Sequence, residues 1–271
     1  MTTKRQVSTE DFFASNPVFS LDQAAKTLEP PSGRTGAVYR LKHHLETGRL
    51  KRLARELYAV VPSGKPADGF QPDAFLAAQA ARPDGVFSYH SALELLGVAH
   101  SVWHQCTVFS DRRRQPLVLD RTKVMFFEHP MPIRRSGDVL FGTQKVERRG
   151  QLLRVTGPER TLVEGFHRLD LVGGLAELNE SAAGFPALDL DLLESVLERY
   201  GTAKLWAATG WFLEQHRDIF HVSDVYLQRL EAHCPRAPLY LMRKRRGGTL
   251  VARWNIVLPP ESKTQGELDE R

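Results

Sequence analysis

The sequence predicts an α+β fold: a small helical module with a hairpin at the N-terminus, then a larger mixed α+β body built on a mostly antiparallel sheet. Three observations carry this reading. Residues 20–61 run as a capped helix, a second amphipathic helix and two short strands. Four β-branched or aromatic runs, 103–110, 123–128, 139–146 and 152–155, are separated by Arg, Pro and Gly clusters, the pattern of short strands and turns. Apolar residues then recur at helical spacing through most of 172–232.

With 271 residues, 42% of them hydrophobic and 25% charged, the chain has the length of about two domains and the apolar content to bury a core. Global disorder is excluded. No stretch approaches the ~20 apolar residues that a membrane helix requires, and the opening MTTKRQVSTEDFF lacks the apolar centre of a signal peptide. The expected setting is the cytoplasm, with no membrane partner. Cys106 and Cys234 form no CxxC pair, so reduced thiols are expected and neither a disulfide framework nor a zinc site.

The net charge of +5 is unevenly placed. Residues 1–66 hold 11 Lys and Arg against 6 Asp and Glu, whereas the remainder balances at 26 of each. Between Arg34 and Arg55 there are seven cations and the single acid Glu46 before Glu56 is reached. A field of that sign favours a polyanion such as nucleic acid.

Element by element, Ser20 with Gln23 three residues on is a capping-box signal for a helix over Leu21–Leu28. Pro30-Pro31-Ser32-Gly33 breaks the chain. From Thr35 to Glu46, Val38, Leu41 and Leu45 recur as one buried stripe, which places Gly36, Arg40, His43 and Thr47 opposite, with Tyr39 and His44 on the flanks. Thr47-Gly48 stops this helix, and 49–53 and 57–61 read as two strands joined by Ala54-Arg55-Glu56. Helix, turn, helix and basic hairpin make a winged helix-turn-helix, expected over residues 1–66. In such a module the second helix enters the major groove and the hairpin straddles the adjacent phosphates. Tyr39, Arg40 and His43 are then the expected base readers, with Thr35, Lys42 and His44 on the same helix. Arg34, Arg49, Lys51, Arg52 and Arg55 are placed to neutralise phosphates.

Pro62–Pro72 is rich in Gly, Pro and Ser and marks the expected boundary, with a second domain over 70–260 and a charged disordered tail over 261–271. Within that domain, helices are expected at 73–81, 91–97, 160–169, 172–183, 190–200, 203–214 and 224–232, with extended chain at 85–88. Thr156 and Glu159 have capping-box spacing ahead of the 160–169 helix. A closing hairpin is expected from 239–243 and 251–258 around Arg245-Arg246-Gly247-Gly248.

The wing ending in Leu57-Tyr58-Ala59-Val60, the segment Ser88-Tyr89-His90-Ser91-Ala92-Leu93 and the segment Arg154-Val155-Thr156-Gly157-Pro158-Glu159-Arg160-Thr161-Leu162-Val163 together resemble the AbiEi-type regulators. The resemblance extends to Gly210-Trp211-Phe212-Leu213-Glu214 and Arg253-Trp254-Asn255-Ile256-Val257. It implies the antitoxin and transcriptional repressor of a bacterial type IV toxin–antitoxin, or abortive-infection, system. Such a protein binds inverted repeats in its own promoter as duplex DNA, and it opposes a nucleotidyltransferase-like toxin without a stable complex. The one departure is Glu56, which stands where the wing turn of that family has Gly.

Catalysis is not expected, and no cofactor. His90-Ser91 and His104-Gln105-Cys106 are read as packed residues, and Asp189, Asp191 and Glu194 as a helix cap and first turn. Glu159-Arg160-Thr161 is read as structural. No GxxxxGK[ST] or GxGxxG occurs. Three further basic clusters, Arg112-Arg113-Arg114, Arg134-Arg135 with Arg148-Arg149, and Arg243-Lys244-Arg245-Arg246, fall in expected turns. Two other readings stay open: a nucleic-acid-modifying enzyme delivered by the winged helix, and a transcription factor with no toxin.

Overall fold

A computed structural model describes residues 7–242 and 247–260. The expected basic turn at Arg243–Arg246 and the tail over 261–271 lie outside the described residues. The fold is α+β, and contacts group the chain into two compact units: Met1–Phe87 with Trp103–Glu128 and Lys145–Arg154, and Ser88–Val102 with His129–Gln144 and Val155–Arg271.

In the first unit the N-terminal elements are α1 (Thr9–Ser15), β1 (Val18–Ser20), α2 (Leu21–Leu28), α3 (Gly33–Glu46), β2 (Leu50–Ala54) and β3 (Leu57–Val60). The sequence reading missed α1 and β1. Ser8 caps α1 by accepting from the Asp11 amide at 3.0 Å, and Phe12 and Phe13 on it are buried. The three strands form an antiparallel sheet in the order β1-β3-β2, with Val18 opposite Ala59 and Leu50 opposite Val60. Phe12, Phe13, Phe19, Leu21, Leu28, Leu41, Leu50 and Tyr58 fill the space beneath it. Phe12 meets Phe19 edge-on at 4.9 Å between ring centroids, and Phe13 stacks on Phe19 at 5.7 Å.

The contact division does not fall at residues 66–70, where composition places a boundary, and α4 (Ala74–Ala81) supplies the reason. Its side chains at Phe75, Leu76, Ala77, Ala78 and Ala80 are all buried, so it has an apolar surface on more than one side. It packs on β1 and β3 and also on β5 (Gln105–Ser110) and β7 (Thr122–Glu128). Asp73 caps α4 through the Phe75 and Leu76 amides and accepts from Arg148 Nε at 2.8 Å.

The larger sheet runs β6-β7-β5-β4-β9-β8, with β4 at Val86–Phe87, β6 at Leu117–Leu119, β8 at Thr143–Arg148 and β9 at Gln151–Thr156. It is mixed: β4–β5 and β6–β7 pair antiparallel, while β5 and β7 pair in parallel over six residues, Gln105 to Ser110 against Lys123 to Glu128. The short β6, which alternation alone did not reveal, turns back antiparallel on the far side of β7 and makes that parallel pairing possible.

The second unit holds α5 (His90–Leu95), α6 (Met131–Arg135), α7 (Pro158–His167), α8 (Leu175–Ala183), α9 (Leu190–Tyr200), α10 (Ala203–Gln215) and α11 (Asp224–Glu231). Central among them, α7 contacts α5, α8, α9 and α10. Gly157, not Thr156, caps it, and Pro158 occupies the first turn. The Thr156 hydroxyl pairs instead with that of Thr161 at 2.7 Å, and the Glu159 carboxylate accepts from the Asp189 amide at 2.8 Å. Arg160 is fully buried. Its Nε donates to Glu164 Oε1 at 2.7 Å, and its Nη1 donates to the carbonyls of Val139 and Phe141 at 2.9 and 2.8 Å. Tyr200 on α9 donates to the same Glu164 oxygen at 2.8 Å. Residues 139–142, expected as strand, are thus a turn held by this guanidinium.

The C-terminal strands β10 (Leu239–Tyr240), β11 (Thr249–Val251) and β12 (Ile256–Leu258) form a sheet in the order β10-β12-β11. The hairpin is β11–β12, turned at 252–255, and β10 pairs with β12 in parallel, so the expected hairpin across Gly247-Gly248 is not formed. What decides the turn is Trp254, fully buried, whose Nε1 donates to Glu214 on α10 at 2.6 Å while Arg253 donates to the other Glu214 oxygen at 2.5 Å. The indole occupies the space above Gly210, where a Cβ would fall 2.1 Å from its ring.

Two stability predictions follow from α7 and α10. Gly210→Ala should lower the urea midpoint by the equivalent of about 3 kcal/mol, at the upper end for overpacking, since both contacting groups are rigid. Arg160→Met leaves Glu164 and two carbonyls buried without their donor and should cost about 3–5 kcal/mol in the same titration.

Candidate nucleic-acid interface

The rotation of α3 determines which candidate residues look outward. Its first turn is pressed against Pro30, where a Cβ on Gly36 would lie 3.0 Å from the proline Cβ, and its inner residues are Ala37 and Leu41, with Leu45 partly buried. Val38, expected in the buried stripe, is 46% exposed. Residues 37, 41 and 45 are spaced i, i+4, i+8 and residues 38, 41 and 45 i, i+3, i+7; both spacings fit one helix face, and the smaller residue is the one buried. At about 100° per residue the outward face therefore carries Thr35, Tyr39, Lys42, His43 and Glu46. Tyr39 is 73% exposed, the most open large side chain of α3. Arg40 falls on the flank and is half-buried, which corrects its expected place at the centre of the exposed face.

His44 is turned inward. Its ring meets Phe13 edge-on at 5.0 Å. Burial, reinforced by the Arg49 and His43 cations, pulls its pKa below the ordinary histidine value. It is better described as the edge of the aromatic cluster than as a base reader.

The five cations expected to meet phosphates separate into two groups. Arg49 makes a two-pronged ion pair with Glu10 on α1 and lies 5.4 Å over the Phe13 ring. Lys51 donates to the Phe70 carbonyl at 2.8 Å. Arg34 is bound by Asp22 on α2 and by Glu56 in the hairpin turn, the latter at 2.5 Å. By contrast, Arg52 is exposed and donates only to its neighbour's carbonyl, Ala54 O at 3.4 Å, and the Arg55 side chain is 90% exposed.

Glu56 itself sits at φ 63°, the left-handed conformation that glycine adopts without strain. The turn geometry is thus the one glycine would favour, although the side chain differs. Its carbonyl accepts from the Leu21 amide at 2.8 Å, which ties the hairpin turn to the start of α2. Its carboxylate is held below the usual range by the Arg34 guanidinium. Glu56 does not face outward as an unopposed anion. Neither Asp22 nor Glu10 was singled out from sequence; each lies in the first turn of its helix, a position that suits an acid and so carried no distinguishing signal.

Elsewhere, Ser88, His90 and Ser91 are buried, and Glu177 Oε1 accepts from the His100 and Ser101 amides and from Ser181 while standing 3.4 Å from His90 Nε2. Cys106 is buried and His104 precedes its strand in exposed chain, so the two do not form a common site. Asp189 caps α9 through the Asp191 and Leu192 amides, and Glu194 pairs with Arg229. Among the described residues there is no cluster of His, Cys, Asp and Glu suited to a metal ion, and no helix long and apolar enough to cross a membrane.

A pH prediction comes from His44. Its folded pKa lies below the unfolded one, so the neutral ring stabilises the fold above pH ~6.5 and that contribution is lost as the pH falls below it. The drop in urea midpoint between pH 7.5 and 5.5 should therefore be smaller in His44→Gln than in the parent.

The chain is similar in fold to the crystal structure of the RV2827C protein from Mycobacterium tuberculosis, with a TM-score of 0.59 over 91% of this chain and 88% of that one, at 16% sequence identity. No family model and no curated protein matches the sequence. At that identity the likeness establishes the mixed α+β fold, and the fold alone.

Proposed function

We propose that this chain is a DNA-binding transcriptional regulator whose residues 1–66 act as a winged helix-turn-helix, with α3 in the major groove and the β2–β3 hairpin over the neighbouring phosphates. The observation that carries the reading is the outward face of α3. Thr35, Tyr39, Lys42 and His43 project from one helix face, and the exposed Arg52 and Arg55 belong to the hairpin joined to α2 beside it. Aromatic and hydroxyl groups suit base edges and methyl groups, while mobile cations suit phosphate oxygens. The excess of basic residues in this segment adds the long-range attraction.

On the resemblance of its wing, Ser88–Leu93 and Arg154–Val163 segments to AbiEi-type regulators, the duplex it recognises is its own promoter. Its second role on this reading is to oppose a nucleotidyltransferase-like toxin encoded beside it. The chain contributes no catalysis to either role.

Fluorescence anisotropy against the upstream duplex and a scrambled one, across a salt series, tests the DNA reading. The upstream duplex should bind tightly and the scrambled one weakly. Tyr39→Ala should narrow the gap between them by about tenfold, as expected for loss of one base contact. Arg52→Ala and Arg55→Ala should weaken both alike and flatten the log–log salt slope by about 0.9 each. Equal binding of both duplexes by the parent overturns sequence recognition. Failure of the full chain to relieve growth arrest by the adjacent toxin overturns the antitoxin role.

A further inference from the structure

We infer that the Arg112–Arg114 loop is a second phosphate-binding rim for the same duplex, set across a groove from the hairpin turn. This rests on the DNA reading above and extends the contact surface beyond residues 1–66, into chain that lies about 60 residues further on but within the same compact unit.

The groove has a volume of about 770 Å³. One lip is the hairpin turn, Ala54 to Leu57, together with the start of α2, and the other is Arg114 to Leu117, where the chain leaves β5 and enters β6. Leu21, Leu57 and Phe126 line its apolar floor. The acids on the first lip are Asp22 and Glu56, and Arg34 binds both. Arg55 reaches the other Glu56 oxygen at 3.9 Å with its side chain 90% exposed. On the other side, Arg112 and Arg113 are exposed and make no ion pair among the described residues. Arg114 donates to the Ala81 carbonyl at 3.1 Å. The Ser110 hydroxyl fixes the loop by donating to the Arg112 carbonyl at 2.9 Å. Asp111 is the loop's single acid, and its amide donates to Asp84. The hairpin lip is thus neutral, with Arg34 and Arg55 against Asp22 and Glu56, and the positive excess lies on the Arg112–Arg114 side.

Arg34 also fixes the direction in which this surface continues. It belongs to the first turn of α3, and its two partners stand on the groove lip, so the N-terminal end of α3, the hairpin turn and the groove are contiguous. A duplex lying on α3 would carry one backbone over Arg55 and onward to the Arg112–Arg114 loop. The three arginines of the loop suit the phosphates of a duplex backbone, whereas an acidic peptide seated in the groove would bring its own side chains against Asp22 and Glu56.

Arg112→Gln/Arg113→Gln in the full chain tests this, since neither guanidinium makes an ion pair or hydrogen bond among the described residues. The salt slope should flatten by about 1–2 units, roughly 0.9 per contact, with equal loss on the upstream and scrambled duplexes. The hydroxyl-radical footprint should shorten at one end only. Arg121→Gln, which removes a charge from the β6–β7 turn outside the groove, should leave the footprint at full length. A slope and footprint equal to the parent's overturn the inference while leaving the DNA reading intact, and so does a loss per charge that Arg121→Gln reproduces. If the parent itself binds no DNA, the DNA reading fails and this inference with it.

Discussion

The packing of α3, with Ala37 and Leu41 buried and Val38 turned out, is the constraint on which the outward chemistry of the N-terminal elements depends. A buried valine would contribute about 1.5–3 kcal/mol, yet Val38 stays largely in solvent and Ala37 takes the inner position. Packing explains the choice. Phe12, Phe13 and Phe19 share one core cluster with Ala37 and Leu41, and the start of α3 is pressed against Pro30. The rotation that buries Ala37 brings Tyr39 out and draws Arg40 to the side. The rotation of α3 thus decides which of its side chains face outward.

The electrostatics of the module follow a similar logic of occupancy. Counting cations between Arg34 and Arg55 suggests seven ligands for a polyanion, but Arg34, Arg49 and Lys51 already have partners within the same unit. Exposed pairs of this kind are weak and screened by salt, so they shape the field more than they stabilise the fold. Arg34 shows why that matters. By binding Asp22 and Glu56 together it offsets part of their negative charge next to the hairpin turn, and with Arg55 3.9 Å from the same carboxylate Glu56 is no bare anion there. The left-handed backbone at Glu56 preserves the turn while the carboxylate is absorbed locally.

Where local rules governed an element, it was legible in sequence. Leu21–Leu28, Leu190–Tyr200 and the β2–β3 hairpin are set by capping, stripe and turn residues, and they lie within a residue or two of where those features place them. The misses share a different cause. Gln23 has the spacing to return to the Ser20 cap, but its amide donates to Asn16 at 2.7 Å because α1, which the reading lacked, brings that acceptor near. Residues 139–142 have β-branched and aromatic content, yet Arg160, distant in sequence, claims their carbonyls. The Gly247-Gly248 pair looks like a hairpin turn, but burial of Trp254 over Gly210 fixes the bend at 252–255 instead. Each error is a local propensity overruled by a long-range partner that a single sequence does not announce. At the candidate site the same rule operates: the residue types were readable, but whether each cation was already engaged was not.

The segments that carry the resemblance to AbiEi-type regulators are for the most part interior. Ser88, His90 and Ser91 are buried, Tyr89 among them is held at φ 56°, and Thr156, Arg160 and Thr161 have no exposed surface. Gly210 and Trp254 are matched to one another inside the second unit, with Glu214 receiving both Trp254 and Arg253. Their identities are explained by the fold: a cap, a buried guanidinium with three acceptors, a glycine beneath an indole. Residues of that kind are required by the core, so they speak to an architecture and say little about a ligand. On the proposed DNA reading, recognition comes from side chains that packing leaves free, the Tyr39 face of α3 and the exposed cations of the hairpin and the β5–β6 loop. A chain with this same interior and a different set of residues at 35, 39, 42, 52 and 55 would fold alike and recognise something else.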